Sequence, residues 1–442
     1  MLANLFRNLG TPLRPRVPHL KHTASDATQT LPIPAVVVLP FSQHIGTPCV
    51  PVVAVGDQVR VGQVVADSDA MISAPIHASV SGTVSSISTH AITITTDGLQ
   101  TLCETLKPPV INSRADFVAA VRASGLVGLG GAGFPAHVKL NIPDTVQIDT
   151  LLINGAECEP YITTDAREFV GAPMDILEGI DAVMQHTGAK QALIGIEDHN
   201  HLVLDFFGAF LSKHQSQYPH ISIKKLSSTY PQGAEKVLIH SCTGRFVPVG
   251  KLPLDIGVIV MNVSSVAFLA RYLKRGVPLI KRRVTVSGPS ISQPTNVWAP
   301  IGTPMIDLIA FCDGYKDNPT LIIQGGPMMG IRQVDDMAPI NKRTNALLVF
   351  DTNPVEEEAE LNCIRCAGCV KACPVDLMPL SIDAAVRRED LAALRQLNLD
   401  ACLDCGKCSF VCPSNRKLVQ HIRIGKDMLR DHVTNLKEGV AS

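Results

Sequence analysis

The sequence predicts a multidomain α+β chain. A β barrel-sandwich comes first, then a central α/β domain, a small β-grasp-like domain and an α-helical, cysteine-rich domain. Three observations predict this. Short Val/Ile runs broken by Gly, Pro, Ser and Thr at regular intervals fill residues 31–106, the pattern of half-buried strands and their turns. Between 107 and 275, apolar β-branched segments alternate with helical spacing, as in a sheet covered by helices. Finally, eight of the 13 cysteines fall in two copies of one spacing, Cys363-x-x-Cys366-x-x-Cys369-x-x-x-Cys373-Pro and Cys402-x-x-Cys405-x-x-Cys408-x-x-x-Cys412-Pro.

A chain of 442 residues has room for about three domains, each with a real core. A net charge of −1 and an isoelectric point near 6.9 suggest no nucleic-acid partner. One Trp and five Tyr leave little for base stacking. No apolar run approaches the ~18–20 residues needed to cross a bilayer. The mean hydropathy of +0.20 is nonetheless high for a chain solvated on all sides, and buried contacts with other subunits or several well-packed cores would both account for it.

Within the N-terminal segment, residues 1–30, Leu2, Leu5, Phe6 and Leu9 repeat at helical spacing beside Arg7, Arg14, Arg16 and Lys21. Such a helix would dock on a membrane surface, on a partner protein or on its own domain. It lacks the continuous apolar core and cleavage site of a secretory signal. In residues 31–106, the phrases Val55 to Gln63 and Ala74 to Val84 resemble the flattened barrel of biotinyl and lipoyl carrier domains. A carrier needs a lysine to bear its cofactor, and none occurs between Lys21 and Lys107. That excludes carrier chemistry and leaves a docking or scaffolding role.

The central domain, 107–275, opens with a helix over Ala115 to Ser124, followed by the loop Gly128-Leu-Gly-Gly-Ala-Gly-Phe-Pro135. Strands are expected over Val146 to Ile153, Ala192 to Ile196 and Ile256 to Met261. The glycines match G-x-G-x-x-G, yet the dinucleotide fingerprint needs a strand leading into its loop and here a helix precedes it. Four glycines in six residues still suit close approach to a phosphate, with N–H groups supplied by a following helix. Residues 276–350 shorten into β-rich pieces with Gly and Pro turns. The acidic stretch Glu356 to Glu360 reads as a solvated linker or helix start.

The domain over 351–442 carries the cysteines. Three closely spaced thiolates, a distant fourth and a proline are how bacterial ferredoxins hold cubane clusters, the fourth cysteine completing the other cluster. One 4Fe–4S cluster would take Cys363, Cys366, Cys369 and Cys412, the other Cys402, Cys405, Cys408 and Cys373. Zinc sites divide into two C-x-x-C pairs, which neither run does. A disulfide framework needs an oxidising compartment. The segment Ile382 to Leu397, with Leu391, Leu394 and Leu397 at helical spacing, predicts a helix between the runs, and Pro374 and Pro413 are expected in the first turns of helices leaving the clusters.

The glycine loop, Lys139 and Asn154-Gly-Ala-Glu-Cys-Glu-Pro160 resemble the flavin-binding NADH dehydrogenase subunit of respiratory complex I. With the carrier-like module in front and the cysteine runs behind, the chain is similar to the C subunits of Rnf-type electron-transport complexes. Ser42 to Gly46, Tyr230 to Lys236 and Leu252 to Gly257 carry the same resemblance. It implies FMN in the central domain, with NADH over it. Gly128, Gly130, Gly131, Gly133 and Lys139 would hold the phosphate side. Asn154, Glu157, Gly233, Glu235 and Asn262 would line the flavin and ribityl chain. Phe134 would stack on the nicotinamide nucleotide, and Glu159 would bind its ribose. Leu129 and Ala156 depart from the complex I pattern (arginine and aspartate there), Ala234 and the residues around Arg16 to His19 from the Rnf pattern.

The resemblance further implies a peripheral subunit at the cytoplasmic face of a bacterial inner membrane, moving electrons between NADH, FMN, two 4Fe–4S clusters and partner iron–sulfur or membrane subunits. Ferredoxin is one candidate partner, and ion pumping would fall to other subunits. A soluble cobalamin reductase shares the loop and cysteine runs, but the N-terminal barrel favours the Rnf-type subunit. A non-catalytic iron–sulfur relay would hold clusters without flavin. Cys158, Cys49, Cys103, Cys242 and Cys312 are expected to be packing residues.

Overall fold

The structure, a computed structural model, describes residues 17–316, 318–351 and 359–440, with side chains in the final helix described to 432. The amphipathic segment Leu2 to Leu9, with Arg14 and Arg16, lies outside the described residues, as do Glu356 to Glu358 of the acidic stretch.

The first module is a two-sheet β sandwich. One sheet orders Val36–Pro40, Ala91–Thr96, Gly82–Ile87 and Gln58–Val59; the other orders Val50–Pro51, Val64–Asp67 and Ile76–His77. Alternation decides which faces meet, because successive strand residues point to opposite sides. Val37, Leu39, Val65, Ile76, Val84, Ile92 and Ile94 fill the space between the sheets.

The central module is a four-stranded, all-parallel sheet ordered Ile221–Leu226, Gln191–Glu197, Thr150–Asn154 and Val258–Asn262. Its strands read as continuous apolar runs since helices cover them. Helix punctuation follows the sequence. Pro173 opens Pro173–Thr187 and Gly188 closes it in the left-handed region, while Asn262 caps Val263–Arg275 and Gly276 ends it. The chain passes from Thr150–Asn154 outward to Gln191–Glu197 and Ile221–Leu226. It then returns to place Val258–Asn262 on the other side of Thr150–Asn154. The strand order therefore reverses between those two strands, and ligands of open parallel sheets bind outside the carboxyl ends at such a reversal.

The third module is a six-stranded mixed sheet whose edge strand, Gln29–Thr30, comes from the N-terminal segment and pairs with Thr295–Pro300. Helix Met305–Phe311 packs on one face through Met305, Leu308 and Ile309. Tyr161 and Ile162 of the central domain pack with Leu321, Ile323, Leu348 and Phe350 on the other. Lys342 is fully buried and donates to the carbonyls of Pro75 (2.6 Å) and Gly125 (2.8 Å). One side chain from the third module thus ties the first to the central one.

Among the described residues, the cysteine-rich module is helical without strands. Helices Gly368–Ala372, Pro379–Arg387, Leu391–Gln396, Lys407–Phe410 and Leu418–Val440 surround a core of Ile382, Ala385, Leu394, Leu399, Leu418 and Ile422. The single helix expected over Ile382 to Leu397 is two, Pro379–Arg387 and Leu391–Gln396, broken at Arg388 to Asp390, and Leu397 caps the second. The expectation for Pro374 and Pro413 is corrected: both lie in turns, and the next helices start only at Pro379 and Leu418. The intervening residues swing around the cysteines instead of entering a helix at once.

Candidate flavin and cluster sites

The carboxyl ends of the two strands flanking the reversal carry Asn154 and Asn262, which are register partners. Asn154 Nδ2 donates to the Gly233 carbonyl at 2.8 Å, and its Oδ1 accepts from the Ala156 N–H. A Cβ on Gly233 would stand 2.3 Å from the Ala156 carbonyl, so glycine is required where these loops cross. Asn262 caps its helix through Ser264 N–H and donates to Asp165 Oδ2 at 2.7 Å. Asp165 also accepts from Ser264 Oγ. Burial, with Glu157 nearby, pushes its carboxyl up to about 7. Sequence reasoning missed Asp165, which belongs to no motif and is brought in by helix Thr164–Gly171.

The glycine loop lies over this reversal. A Cβ on Gly130 would approach Asn262 Nδ2 at 3.2 Å. Leu129 N–H donates to Ser265 Oγ, Arg282 donates to the Leu129 carbonyl, and Arg343 Nε donates to the Gly131 carbonyl. The loop closes on itself through Gly128 N–H to Phe134 O (2.8 Å) and Gly133 N–H to Gly128 O (3.1 Å). Gly133 sits at φ +70° against the Arg343 side chain. Gly128 differs, having no positive φ and no atom within 3.7 Å of a built Cβ. Protein packing therefore gives no reason for glycine at 128, and the N–H groups of Gly130, Gly131 and Ala132 have no partner among the described residues. A loop with free N–H groups and an unfilled Cβ position suits an approaching phosphate. As expected, no strand leads into it; the helix before it is Arg114–Ala123. The helix after it, Ala136–Leu140, is only five residues long.

The other candidates divide into two groups. Lys139 Nζ pairs with Glu235 Oε1 at 2.7 Å and with the Val260 carbonyl at 3.0 Å, close to the same strand ends. Both partners are partly exposed, so the pair itself is worth only about 0.2–1 kcal/mol and can open to a ligand. Phe134 is half-buried. Glu157 is committed to structure, accepting from Thr164 Oγ1 and the Asp165 N–H at the start of its helix. Glu159 Oε2 accepts from Met328 N–H at 3.0 Å, whereas its buried Oε1 has no partner. Burial pushes the Glu159 carboxyl up to about 7. Lys21 supports this loop by donating to the carbonyls of Glu157 (2.5 Å), Glu159 (2.9 Å) and Ile162 (2.6 Å).

The cysteines fall into two crossed groups. Cys373 of the first run and Cys402, Cys405 and Cys408 of the second line one cavity, walled by Val375, Leu377, Val419 and Ile422. Cys363 and Cys366 are exposed, and Cys412 lies close enough to Cys369 to raise its thiol electrostatically, after burial. Four sulfurs around an apolar cavity fit a cubane cluster. The cavity also abuts the central domain: Tyr230 Oη donates to the Cys405 carbonyl at 2.7 Å, and Lys407 Nζ donates to the Tyr230 carbonyl at 2.6 Å. Tyr230, Met328, Cys405 and Phe410 form one apolar cluster, with Cys158 and Leu20 against it. Burial pushes the Cys158 thiol far up, which suits a packing residue. The sequence phrase around Tyr230 was visible, but its place in the contact between modules was not.

Family models match in the same order. "RnfC Barrel sandwich hybrid domain" matches residues 16–105, "Nuo51 FMN-binding domain" 121–271, "SLBB domain" 283–332 and "4Fe-4S dicluster domain" 362–416. The chain is similar to the C subunit of the proton-translocating ferredoxin:NAD(+) oxidoreductase complex of Clostridium ljungdahlii, 40% identical over 91% of this chain and 90% of that protein. It is 38% identical to the counterpart in the Na(+)-translocating complex of Acetobacterium woodii, over 89% and 90%. With the C subunit of the ion-translocating oxidoreductase complex of Rhodobacter capsulatus it shares 35% over 93% and 81%.

Proposed function

The chain belongs to the family of C subunits of ion-translocating oxidoreductase complexes, which makes it an electron-transfer subunit, and we propose that it oxidises NADH, or reversibly reduces NAD, at the central sheet. FMN, two 4Fe–4S clusters and NADH are its cofactors. FMN, when bound, exchanges electrons in pairs with a nicotinamide and singly with a cluster. The chain's own residues supply position. The free N–H groups of the glycine loop and Lys139 receive the phosphate end, while Asn154, Gly233, Glu235 and Asn262 border the strand ends where the ring system would lie. Glu159, with one unpartnered oxygen, is placed to accept from a ribose hydroxyl.

The observation that carries this reading is the seam at Tyr230. It joins the module holding Cys402, Cys405, Cys408 and Cys373 to the loops around Glu159 and Gly233. These four cysteines would hold the cluster on the flavin side, and Cys363, Cys366, Cys369 and Cys412 would hold the other toward the exposed surface, where a partner redox subunit would meet it. No helix among the described residues is long and apolar enough to cross a membrane. We place the chain peripherally, at the cytoplasmic face of the inner membrane, with ion movement in its partners.

Anaerobic purification with iron and flavin analysis, followed by NADH addition, tests the proposal. Bleaching of both flavin and cluster absorbance is expected. A protein that holds clusters but no flavin would be a relay, and the proposal would fail.

A further inference from the structure

At the carboxyl end of strand Gln191–Glu197, beside the loop that carries Glu157 and Cys158, three side chains with no role in the flavin reading meet: His19 from the N-terminal segment, Glu197 and His199. One ligand atom of each lies within 4.8 Å of the others. Glu197 is 1% exposed, and neither of its carboxylate oxygens has a hydrogen-bond partner. An unpaired buried carboxylate is costly unless something cationic joins it. Lys21, whose charge favours the ionised carboxylate, is already committed to the three carbonyls of the Glu157 to Ile162 loop.

His199 Nδ1 lies 3.9 Å from Glu197 Oε2 and 2.8 Å from Ser228 Oγ. Ser228 Oγ gives its proton to Asp198 Oδ1, so at 2.8 Å it accepts from His199 Nδ1–H. That tautomer leaves the His199 Nε2 lone pair free. A metal-binding histidine usually anchors its second nitrogen on a carbonyl or oxygen partner in this way. The His19 ring lies against the Ser228 backbone and the His199 ring. The rings lie 3.9 Å apart between centroids, tilted by 31°.

We propose that His19, Glu197 and His199 form a binding site for a divalent first-row transition metal, with zinc as the probe ion. Two imidazoles and one carboxylate suit such ions and disfavour magnesium and calcium, which take oxygen ligands. The site has three protein ligands and so leaves a coordination position for water. Its effect is to pin the N-terminal segment to the sheet, thereby fixing Lys21 under the loop that carries Glu159. It stands independently of the flavin reading, because its test uses neither NADH nor flavin reduction.

The test loads cluster-bearing protein with zinc chloride anaerobically, desalts it and measures zinc and iron together by mass spectrometry. About one zinc per chain is expected, by the three-ligand geometry, with unchanged iron. Glu197→Gln and His199→Ala should each weaken zinc binding at least tenfold in competition with a chromophoric chelator. His19→Phe keeps a ring against His199 but removes the ligand; zinc should raise the melting temperature of the parent protein and leave that of His19→Phe unmoved. Wild-type protein that keeps no stoichiometric zinc overturns the site, as does equal retention by variants with normal iron content. If a variant at Glu197 does not fold, the His19→Phe comparison decides alone.

Discussion

Gly128→Ala separates a glycine needed by the protein from one needed by a ligand. At position 128 the backbone φ is not positive, and a built Cβ meets nothing closer than 3.7 Å, the Phe134 nitrogen. Alanine there should leave the fold intact, or stabilise it by about 0.4–1 kcal/mol through the unfolded chain. If flavin lies against this backbone, the added methyl intrudes on a packed contact at about 1–3 kcal/mol. That corresponds to roughly 5- to 150-fold weaker FMN binding. Gly133→Ala is the contrasting control. Its φ of +70° and the Arg343 side chain 2.6 Å from the Cβ should lower stability by about 1–2 kcal/mol before any ligand is added. Fluorescence titration of FMN into flavin-free protein gives the affinities and thermal melts give the stabilities. An unchanged FMN affinity in folded Gly128→Ala would refute placing the flavin against this loop.

Three more outcomes follow from the cysteine module and the Glu159 loop. Because the cysteine groups cross between runs, Cys373→Ser and Cys405→Ser should leave the same residual cluster by electron paramagnetic resonance, and Cys412→Ser and Cys366→Ser should share the other. Pairing within runs would group the variants differently. Tyr230→Phe leaves the Cys405 carbonyl without its donor, at about 1–3 kcal/mol. In stopped flow it should slow NADH-driven cluster reduction while flavin reduction keeps its rate; equal slowing of both would argue against electron passage across this contact. For Glu159, the folded-state carboxyl is raised from 4.5 to about 7. The flavin-free protein therefore binds an extra proton between those values and loses stability as pH rises from about 4.5 to 7, by about 3 kcal/mol at most. Glu159→Gln should flatten that part of the stability profile measured by denaturant titration, and an unchanged profile would place the proton elsewhere.

The module order and the two cysteine runs were legible because both depend on local spacing. So was the absence of a strand before the glycine loop, since a helical pattern precedes it. What the sequence hid are contacts made across long separations. Asp165 reaches Asn262 only after the sheet has brought two helices together. Tyr230 meets Cys405 across 175 residues, so no local pattern could announce it. Glu157 looked like a flavin ligand by its place in the motif, and its present hydrogen bonds serve a helix start. Pro374 and Pro413 misled because proline suits a helix's first turn and an ordinary turn equally well.

The edge strand Gln29–Thr30 and its neighbour Thr23 also set a timetable for biosynthesis. The Thr23 carbonyl accepts from Asn296 Nδ2, 273 residues later. At ~5–20 residues per second a ribosome takes about 14 to 55 s to cover that distance. Throughout that interval the first thirty residues have emerged without their partner strand, while the β sandwich and the parallel sheet can already close. The stretch from Thr23 to Thr30 is thus made long before its partners and is among the last parts put in place. An arrested nascent chain that stops short of Asn296 would carry the glycine loop and the central strand ends, but not this fastening of Thr23 beside Thr163.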